Sequence, residues 1–275
     1  MKVLSVLLFA AAALLALLCL LLVPRRGYPG WEELSAFRYA HRGLHDVERG
    51  IPENSLSAFR AAAEKGFGAE LDVHLLADGK LAVVHDSDLK RVCGADVRIE
   101  ELSAADLPRY PLLGSGETIP LLEEVLEVFA GRAPLVIELK VAGGNAYALA
   151  DATMRALEGW QGRFCLESFH PLAVYRLRRC WPQVIRGQLA QNFFRSSETG
   201  RMSWPVAFLL TNLLTTAFTR PDFIAYKSVD RGWPTLRLMK RLYGVHEVGW
   251  TIRGREELLA LEKEGVVPIF EGFVP

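Results

Sequence analysis

Cysteine is scarce in this 275-residue sequence, and neither sign of charge is in excess. None of the four cysteines shows C-x-x-C spacing, which argues against a disulfide framework and against a zinc site. The 32 basic residues equal the 32 acidic ones, so no positive excess is present to neutralise nucleic-acid phosphates. A hydrophobic share of 51% excludes a disordered chain. No feature of the sequence indicates a protein partner.

One long hydrophobic run stands near the N-terminus, over residues 3–23. Ser5 is its one polar residue, and Lys2, Arg25 and Arg26 flank it. A helix of this length, at about 1.5 Å rise per residue, crosses a hydrocarbon core of roughly 30 Å. A cleaved secretory signal is the alternative, but signals have apolar cores of about 7–15 residues and a small-x-small cleavage site, which this run lacks. We therefore expect residues 1–27 to form an uncleaved, single-pass membrane anchor, and the flanking charges favour a cytoplasmic catalytic domain.

Eight short apolar runs follow the anchor, and helix-like stretches separate most of them. Strands that alternate with helical patterns indicate βαβ units and a parallel sheet. Eight such strands within residues 28–275 predict an α/β fold of the (βα)8 TIM barrel class. A doubly wound sheet is the alternative, but no G-x-G-x-x-G turn follows the first strand. The predicted strands are 37–41, 69–73, 135–139, 164–168, 184–189, 223–226, 245–251 and 267–271.

A further apolar run, 81–85, lies too close to the second strand for a helical crossover. The Asp-Gly pair at 78–79 predicts a hairpin with a two-residue turn between them. That turn places Asp72 opposite His85. Opposed residues share a face, and so do residues two apart on one strand. The pattern therefore puts Glu70, Asp72 and His85 on one surface.

Three carboxylates, on Glu70, Asp72 and Glu138, sit at the C-terminal ends of predicted strands. These ends form the active face of a (βα)8 barrel. Buried acidic side chains are very costly without a partner. A hard divalent cation with oxygen ligands, Ca²⁺ or Mg²⁺, is one such partner. The alternative is ion pairing, for instance between Glu138 and Lys140.

Two histidines accompany the carboxylates. His41 ends the first strand and His85 ends the hairpin, and two such groups suit general acid and base work near neutral pH. Arg42 and Lys140 supply fixed positive charge that suits a phosphate oxyanion. The remaining histidines carry no such context and are interpreted as structural or surface residues: His45, His74, His170 and His246.

Seven motifs follow one another in order over more than 200 residues. They are His41-Arg42-Gly43; Pro52-Glu53-Asn54-Ser55 with Ala58-Phe59; Glu70-Leu71-Asp72-Val73; Asp78-Gly79 with Val83-Val84-His85-Asp86; Ile137-Glu138-Leu139-Lys140; Glu167-Ser168-Phe169; and Trp250-Thr251-Ile252. Each motif alone is weak, but the ordered set resembles the glycerophosphodiester phosphodiesterase family over most of the chain after about residue 36.

The resemblance implies a (βα)8 barrel that hydrolyses glycerophosphodiesters to glycerol 3-phosphate and an alcohol. It implies a Ca²⁺ or Mg²⁺ ion held by the three carboxylates of Glu70, Asp72 and Glu138. His41 and His85 match the family's acid/base pair, Arg42 its phosphate contact and Lys140 its second cationic group near the phosphate.

Two further residues have alternative roles under the resemblance. Glu53 matches a carboxylate that lies close to the metal in some members, or it is a buried acceptor that steadies the Arg42 loop. Trp250 matches an aromatic side chain that packs on the glycerol, or it simply fills the barrel. The family's insertion after the second strand corresponds to residues 86–120. One departure concerns the C-terminus, where Glu271 stands in place of a family aspartate.

Residues 206–218 are largely apolar but too short to span a bilayer. They form an ordinary barrel helix or a second membrane contact beside the anchor. Two rival functions also stay open. One is a membrane lipid phosphodiesterase that acts on lysophospholipids or glycerophosphate polymers. The other is a barrel that binds glycerophosphate ligands without catalysis.

Overall fold

Eight parallel strands close into a barrel in the computed structural model, which describes residues 2–195 and 202–275. The barrel strands neighbour one another in chain order and the last pairs back to the first, while one further short strand forms a hairpin with the second. All eight predicted strands are present, each within two residues of its predicted bounds, and the (βα)8 class is confirmed. The strands are β1 (Tyr39–His41), β2 (Gly68–Leu75), β3 (Leu81–Val83), β4 (Leu135–Leu139), β5 (Phe164–Ser168), β6 (Arg186–Ala190), β7 (Phe223–Lys227), β8 (His246–Ile252) and β9 (Val267–Phe270).

Helices cover the outside of the barrel, and local signals in the sequence fix several of their ends. The Ser55 side chain accepts the Ala58 N–H and caps the helix that begins at Leu56, and Pro171 occupies the first turn of its own helix. The helices are α1 (Lys2–Leu21), α2 (Trp31–Ser35), α3 (Leu56–Glu64), α4 (Lys90–Cys93), α5 (Leu122–Phe129), α6 (Ala146–Ala156), α7 (Pro171–Cys180), α8 (Trp204–Thr211), α9 (Thr216–Thr219), α10 (Pro234–Tyr243) and α11 (Arg255–Lys263).

The barrel interior is apolar at one end of the strands and polar at the other. Its lower part is apolar, with Tyr39, Val136, Cys165 and Val248 in one buried cluster. Successive side chains of a strand alternate between the two faces, so the residue two positions later faces inward again. That next residue is His41, Glu138, Glu167 or Trp250, respectively. The core therefore ends where the polar end of the barrel begins.

The predicted hairpin register is wrong by one residue. Val73 pairs with Val83, so Asp72 is not directly opposite His85. The turn holds three residues, 77–79, rather than two, and Leu76 N–H closes it by donating to the Lys80 carbonyl at 2.9 Å. His85 nevertheless lines the same pocket as Glu70, because the chain beyond β3 continues beside β2.

The N-terminal helix α1 is apolar and long enough to cross a membrane by length and composition. Residues 2–17 are exposed, whereas Leu22, directly after the helix, is fully buried among residues of the barrel. The Thr216 hydroxyl donates to the Leu21 carbonyl at 2.9 Å, and the Tyr243 hydroxyl donates to the Cys19 carbonyl at 2.6 Å. The last turn of α1 is thus docked on α9 and α10.

The two remaining predicted segments form short helices. Residues 206–218 run from α8 into α9 through a turn at residues 212–215, in which Leu213 has a φ of 57°. Residues 86–120 form α4 and three 3₁₀ turns, and their apolar side chains build a small core of their own against Leu76, Ala82 and Val84. This small core lies beside the end of β2 that carries the acidic residues.

Candidate active site

A polar pocket of about 280 Å³ opens at the C-terminal ends of the barrel strands. Its walls are the inward-facing side chains that follow the apolar core. They come from all eight barrel strands, so residues far apart in sequence meet at one end of the barrel. Its polar and aromatic lining includes His41, Arg42, Glu70, His85, Glu138, Glu167, Lys227 and Trp250.

A tight turn after β1 positions the first two of these side chains. Arg42 has a φ of 56° and Gly43 a φ of 80°, both in the left-handed region. A Cβ on Gly43 would lie 2.8 Å from the Ala58 Cβ, so only glycine fits there. The turn points the Arg42 N–H at Glu70 Oε2, 3.2 Å away. The His-Arg-Gly motif therefore brings the first strand's backbone to the acidic residues of the second.

Glu70, Asp72 and Glu138 form a buried acidic cluster. One carboxylate oxygen from each lies within 4.8 Å of the others. Asp72 and Glu138 are paired in register on β2 and β4, and Glu70 is one strand repeat away on the same face. The Asn54 amide donates to Asp72 Oδ2 at 2.9 Å and fixes that carboxylate. All three side chains are nearly inaccessible to solvent.

Two cationic side chains approach the acidic cluster. Lys140 Nζ lies 3.1 Å from Glu138 Oε1 and 3.4 Å from Asp72 Oδ1, and Arg42 Nε lies 3.5 Å from Asp72 Oδ2. The predicted alternative, a Glu138–Lys140 ion pair, is therefore present beside the cluster. With Glu167, four carboxylates face two cations. The all-oxygen donor set and this surplus of negative charge both fit a hard divalent cation.

The pKa values of the cluster express the same imbalance. Burial, together with the charges of Asp72 and Glu138, holds the pKa of Glu70 well above its usual range. Burial also raises the pKa of Glu138, although Lys140 opposes the change. Burial alone would raise the pKa of Asp72, but Lys140, His85 and Arg42 bring it well below its ordinary value. The cluster's charge is thus compensated at Asp72 and left uncompensated at Glu70.

Each of the two histidines has a carboxylate partner on Nδ1. His41 Nδ1 lies 3.3 Å from Glu271 Oε1, and its Nε2 lies 3.8 Å from Glu70 Oε2. Burial lowers the pKa of His41, although Glu271 opposes the change. His85 Nδ1 lies 2.7 Å from Asp86 Oδ1, a contact that holds the pKa of Asp86 well below its usual range. A carboxylate on one ring nitrogen fixes the tautomer and leaves Nε2 to exchange a proton.

Glu53 joins two arginines at the rim of the pocket. Its Oε1 accepts from Arg42 Nη1 at 2.7 Å, and Arg91 donates to both of its oxygens at 2.7 Å. Arg91 also donates to Asp86 at 2.6 Å. The network therefore connects the Arg42 turn to the partner of His85.

Trp250 stands at the wall of the pocket. Its ring packs edge-on against Phe169 with centroids 5.6 Å apart, and Lys227 Nζ lies 5.7 Å above its face. The ring borders the space next to Glu167 and Ser228. The position suits contact with the carbon skeleton of a small polar ligand.

Several residues at this site were not predicted from the sequence. Glu167 belongs to the Glu-Ser-Phe motif, but no role is predicted for it from the sequence. Its register with Glu138 puts it inside the barrel. Its buried Oε2 has no hydrogen-bond partner among the described residues, and burial holds its pKa well above its usual range. Glu167 could have been found from the sequence, because it lies two residues after Cys165 on one strand and therefore faces the barrel interior as Cys165 does. Asp86 and Arg91 carried no such signal, because long-range packing positions them.

Comparison with known proteins gives one consistent result. The family model described as glycerophosphoryl diester phosphodiesterase family matches residues 41–274. A glycerophosphodiester phosphodiesterase of Bacillus altitudinis is 34% identical over 157 residues, which are 53% of this chain and 63% of that protein. A human lysophospholipase D is 36% identical over 102 residues, 32% of either chain.

Solved structures show the same fold. The Oleispira antarctica phosphodiesterase, solved in complex with its product sn-glycerol-3-phosphate, superposes with a TM-score of 0.69 at 22% identity. The match covers 86% of this chain and 92% of that one. The family model spans most of the barrel and begins at His41, the first residue of the pocket. This chain therefore belongs to the glycerophosphoryl diester phosphodiesterase family.

Proposed function

We propose that this protein hydrolyses glycerophosphodiesters to glycerol 3-phosphate and an alcohol. The observation that carries the proposal is the buried cluster of Glu70, Asp72 and Glu138 with His41 and His85 beside it in one pocket. Family membership and the product bound by the Oleispira antarctica relative support the same substrate class.

The three carboxylates would hold a divalent cation, Ca²⁺ or Mg²⁺. A bound cation supplies Lewis acidity to a phosphoryl oxygen and offsets negative charge in the transition state. Arg42 and Lys140 add fixed positive charge where the phosphate would lie. Arg42 is held in place by Glu53, and Lys140 by Glu138 and Asp72.

The two histidines would exchange the protons of the reaction. One withdraws the proton of the nucleophile and the other protonates the leaving alkoxide. Glu271 and Asp86 orient the two rings through Nδ1. The nucleophile is water, or the glycerol 2-hydroxyl in a first step whose cyclic phosphate water then opens. Trp250 would pack on the glycerol.

The full-length protein, treated with EDTA, tests the proposal with glycerophosphocholine as the substrate. We expect release of glycerol 3-phosphate when Ca²⁺ or Mg²⁺ is restored, and a loss of roughly 10²–10⁴-fold in His41→Ala. The matched control is His246→Ala, because His246 stacks on Trp31 away from the pocket. Ligand binding without turnover would favour the non-catalytic barrel, and equal turnover with and without metal would refute the cation site.

A further inference from the structure

The polar pocket has two sides with different surroundings. On one side it opens into a larger groove of about 1110 Å³, whose mainly apolar walls come from the segments after β3 to β6 and from α8 and α9. The residues that line both cavities are His85, Asp86, Arg91, Glu138 and Phe169. The residues of the other side line the pocket alone, and they include Glu167, Lys227, Ser228 and Trp250. A diester bound across the pocket would therefore place its variable alcohol toward the groove and its small, constant glycerol on the other side.

Glu167 stands on this second side with its hydrogen bonding incomplete. The residue is 1% exposed, and its register with Glu138 directs it into the barrel. Its Oε2 has no hydrogen-bond partner among the described residues. Burial, together with the charges of Glu138 and Asp72, holds the pKa of Glu167 well above its usual range. A buried carboxyl group without a partner is costly, so its place in a pocket wall points to a ligand group that completes it.

The acidic cluster does not supply that partner. The carboxylates that converge within 4.8 Å of one another are those of Glu70, Asp72 and Glu138, and Glu167 is not among them. Lys140 Nζ contacts Glu138 and Asp72, and in the part of the chain that the structure describes no ion pair joins it to Glu167. The Glu167 carboxyl is therefore left for the substrate.

The indole N–H of Trp250 is a second unmatched group on the same side of the pocket. Its Nε1 is buried and has no hydrogen-bond partner among the described residues. The side chains of Phe169 and Lys227 pack against the ring, and neither is a hydrogen-bond acceptor. This side of the pocket thus offers one buried acceptor and one buried donor. An alcoholic hydroxyl both donates and accepts hydrogen bonds, so it can satisfy the two groups together.

Other parts of a glycerophosphodiester fit this pair of groups less well. An ionised phosphoryl oxygen accepts hydrogen bonds but donates none, and its charge would be repelled by the Glu167 carboxylate. Arg42 and Lys140 offer that oxygen positive charge at the acidic end of the pocket. The glycerol moiety carries two free hydroxyls beside its phosphate ester and is the part that matches.

We propose that Glu167 and the Trp250 indole N–H bind a free hydroxyl of the glycerol moiety and thereby select glycerophosphodiesters over other phosphodiesters. The proposal rests on the proposed function and names the residues that recognise its substrate class. The hydroxyl donates to Glu167 Oε2 and accepts from Trp250 Nε1–H. A diester that lacks this hydroxyl leaves both buried groups unpaired, and a site of this kind rejects such an analogue more strongly than an apolar pocket rejects a missing methylene.

The test compares three phosphocholine diesters that differ by one hydroxyl. They are glycerophosphocholine, 2-hydroxypropyl phosphocholine, which lacks the terminal hydroxyl, and 3-hydroxypropyl phosphocholine, which lacks the secondary one. The full-length protein with Ca²⁺ or Mg²⁺ restored is assayed for choline release from each. We expect kcat/KM to fall by roughly 10–100-fold for the analogue that lacks the recognised hydroxyl. No such fall for either analogue would overturn the proposal.

Variants of the two residues then assign the discrimination. Glu167→Leu should bring the ratio of kcat/KM for glycerophosphocholine to that for the discriminated analogue down to within about threefold of one, and Glu167→Gln, which keeps an acceptor oxygen, should retain part of it. Trp250→Phe keeps an aromatic ring but removes the N–H, and it should lower the ratio for the same analogue. The matched control is Glu100→Gln, which removes an acid outside the pocket and should leave the ratio unchanged.

The ratio within one variant cancels any loss common to all three diesters, including weaker cation binding. An unchanged ratio in Glu167→Leu, with the diesters still cleaved, overturns the proposal and leaves the proposed function intact. If Glu167→Leu is inactive or unfolded, an unchanged ratio in Trp250→Phe overturns it in the same way. Failure of the wild-type protein to cleave any of the diesters would instead refute the proposed function, and this inference with it.

Discussion

The polar pocket and the apolar groove share five residues but arise in different ways. The pocket is built from strand ends, where one alternation places His41, Glu138 and Glu167 on the barrel axis. The groove is built from segments after β3, β4, β5 and β6 and from the short helices α8 and α9, with no repeating pattern behind it. The comparison shows that charge is concentrated where the barrel geometry is most regular. The apolar lining lies where the geometry is least regular.

The largest expected effect lies in the pocket and has opposite signs for activity and stability. Glu70→Gln should lower turnover by roughly 10³-fold, because it removes one carboxylate of the proposed cation site. The metal-free variant should unfold at a higher temperature than the metal-free wild type. Burial and the neighbouring carboxylates raise the pKa of Glu70, so its ionised form destabilises the fold.

The pH dependence of this stabilisation follows from the direction of the shift. The pKa of this carboxyl is about 4.5 in the unfolded chain and higher in the folded protein. As the pH rises above about 4.5, the unfolded chain releases the proton more readily than the folded protein does, so wild-type Glu70 destabilises the fold increasingly. The advantage of Glu70→Gln should therefore vanish below about pH 4 and grow toward neutral pH. Thermal unfolding over that range measures it, with the exposed Glu101→Gln as the control. A variant less stable than wild type at pH 7 would contradict the prediction.

An intermediate effect is expected at Glu271, which supports the pocket from outside the acidic cluster. Its Oε1 lies 3.3 Å from both His41 Nδ1 and His45 Nε2, and the proximity of these two rings, acting against burial, lowers the pKa of Glu271. Glu271→Gln should reduce kcat by roughly 10–100-fold, because the carboxylate no longer orients the His41 ring. Steady-state kinetics on glycerophosphocholine measure the loss. A normal kcat with a raised KM would show that Glu271 binds substrate instead.

The smallest expected effect lies at Glu100, which contacts His74 and Ser87 in the wall of the groove. Burial alone would raise the pKa of Glu100, but hydrogen bonds from His74 and Ser87 lower it to about 2. His74 in turn bonds to the His85 carbonyl at 3.2 Å, so this acid supports the loop that carries a pocket histidine. A lowered pKa stabilises the fold above about pH 4.5, and that contribution is lost as the pH falls through about 2.

Glu100→Gln should therefore cost about 1–2 kcal/mol of unfolding free energy at pH 7, after allowance for solvent screening. The difference from wild type should disappear near pH 2. Urea unfolding at both pH values measures it. Together with Glu70→Gln, the variant makes the comparison sharper, because the buried Glu70 and the half-buried Glu100 should shift stability in opposite directions at neutral pH. Stability changes of the same sign in Glu70→Gln and Glu100→Gln at neutral pH would contradict this distinction between the pocket and its surroundings.

Much of the barrel and its acidic face could be predicted from the sequence, because both depend on short-range alternation. Glu70, Asp72 and Glu138 each stand next to apolar residues in short runs that mark their strands clearly. The hairpin register failed because the Asp-Gly signal fits a three-residue turn as well as a two-residue one, and a single residue shifts every pair.

Other features depended on contacts that no local pattern contains. Arg91 reaches Glu53 across 38 residues, and Glu271 reaches His41 across 230. The groove brings residues near 170 together with residues 206–218, which the sequence indicated only as an unusually apolar stretch. Glu167 was within reach of the alternation argument. The kinetic measurements described for Glu271 apply equally to a Glu167→Gln variant.

The docked turn at the end of α1 has a mechanical consequence. A helix joined to a domain by a loose tether leaves that domain free to rotate. Here the Tyr243 and Thr216 hydroxyls hold the last turn, Leu22 fills a site in the barrel, and Arg25 pairs with Asp222 at 2.5 Å. These contacts restrict rotation between α1 and the barrel, so a tilt of the helix also tilts the barrel. If α1 spans a bilayer, the bilayer thickness, which changes helix tilt, would reorient the mouth of the groove without any change in the pocket.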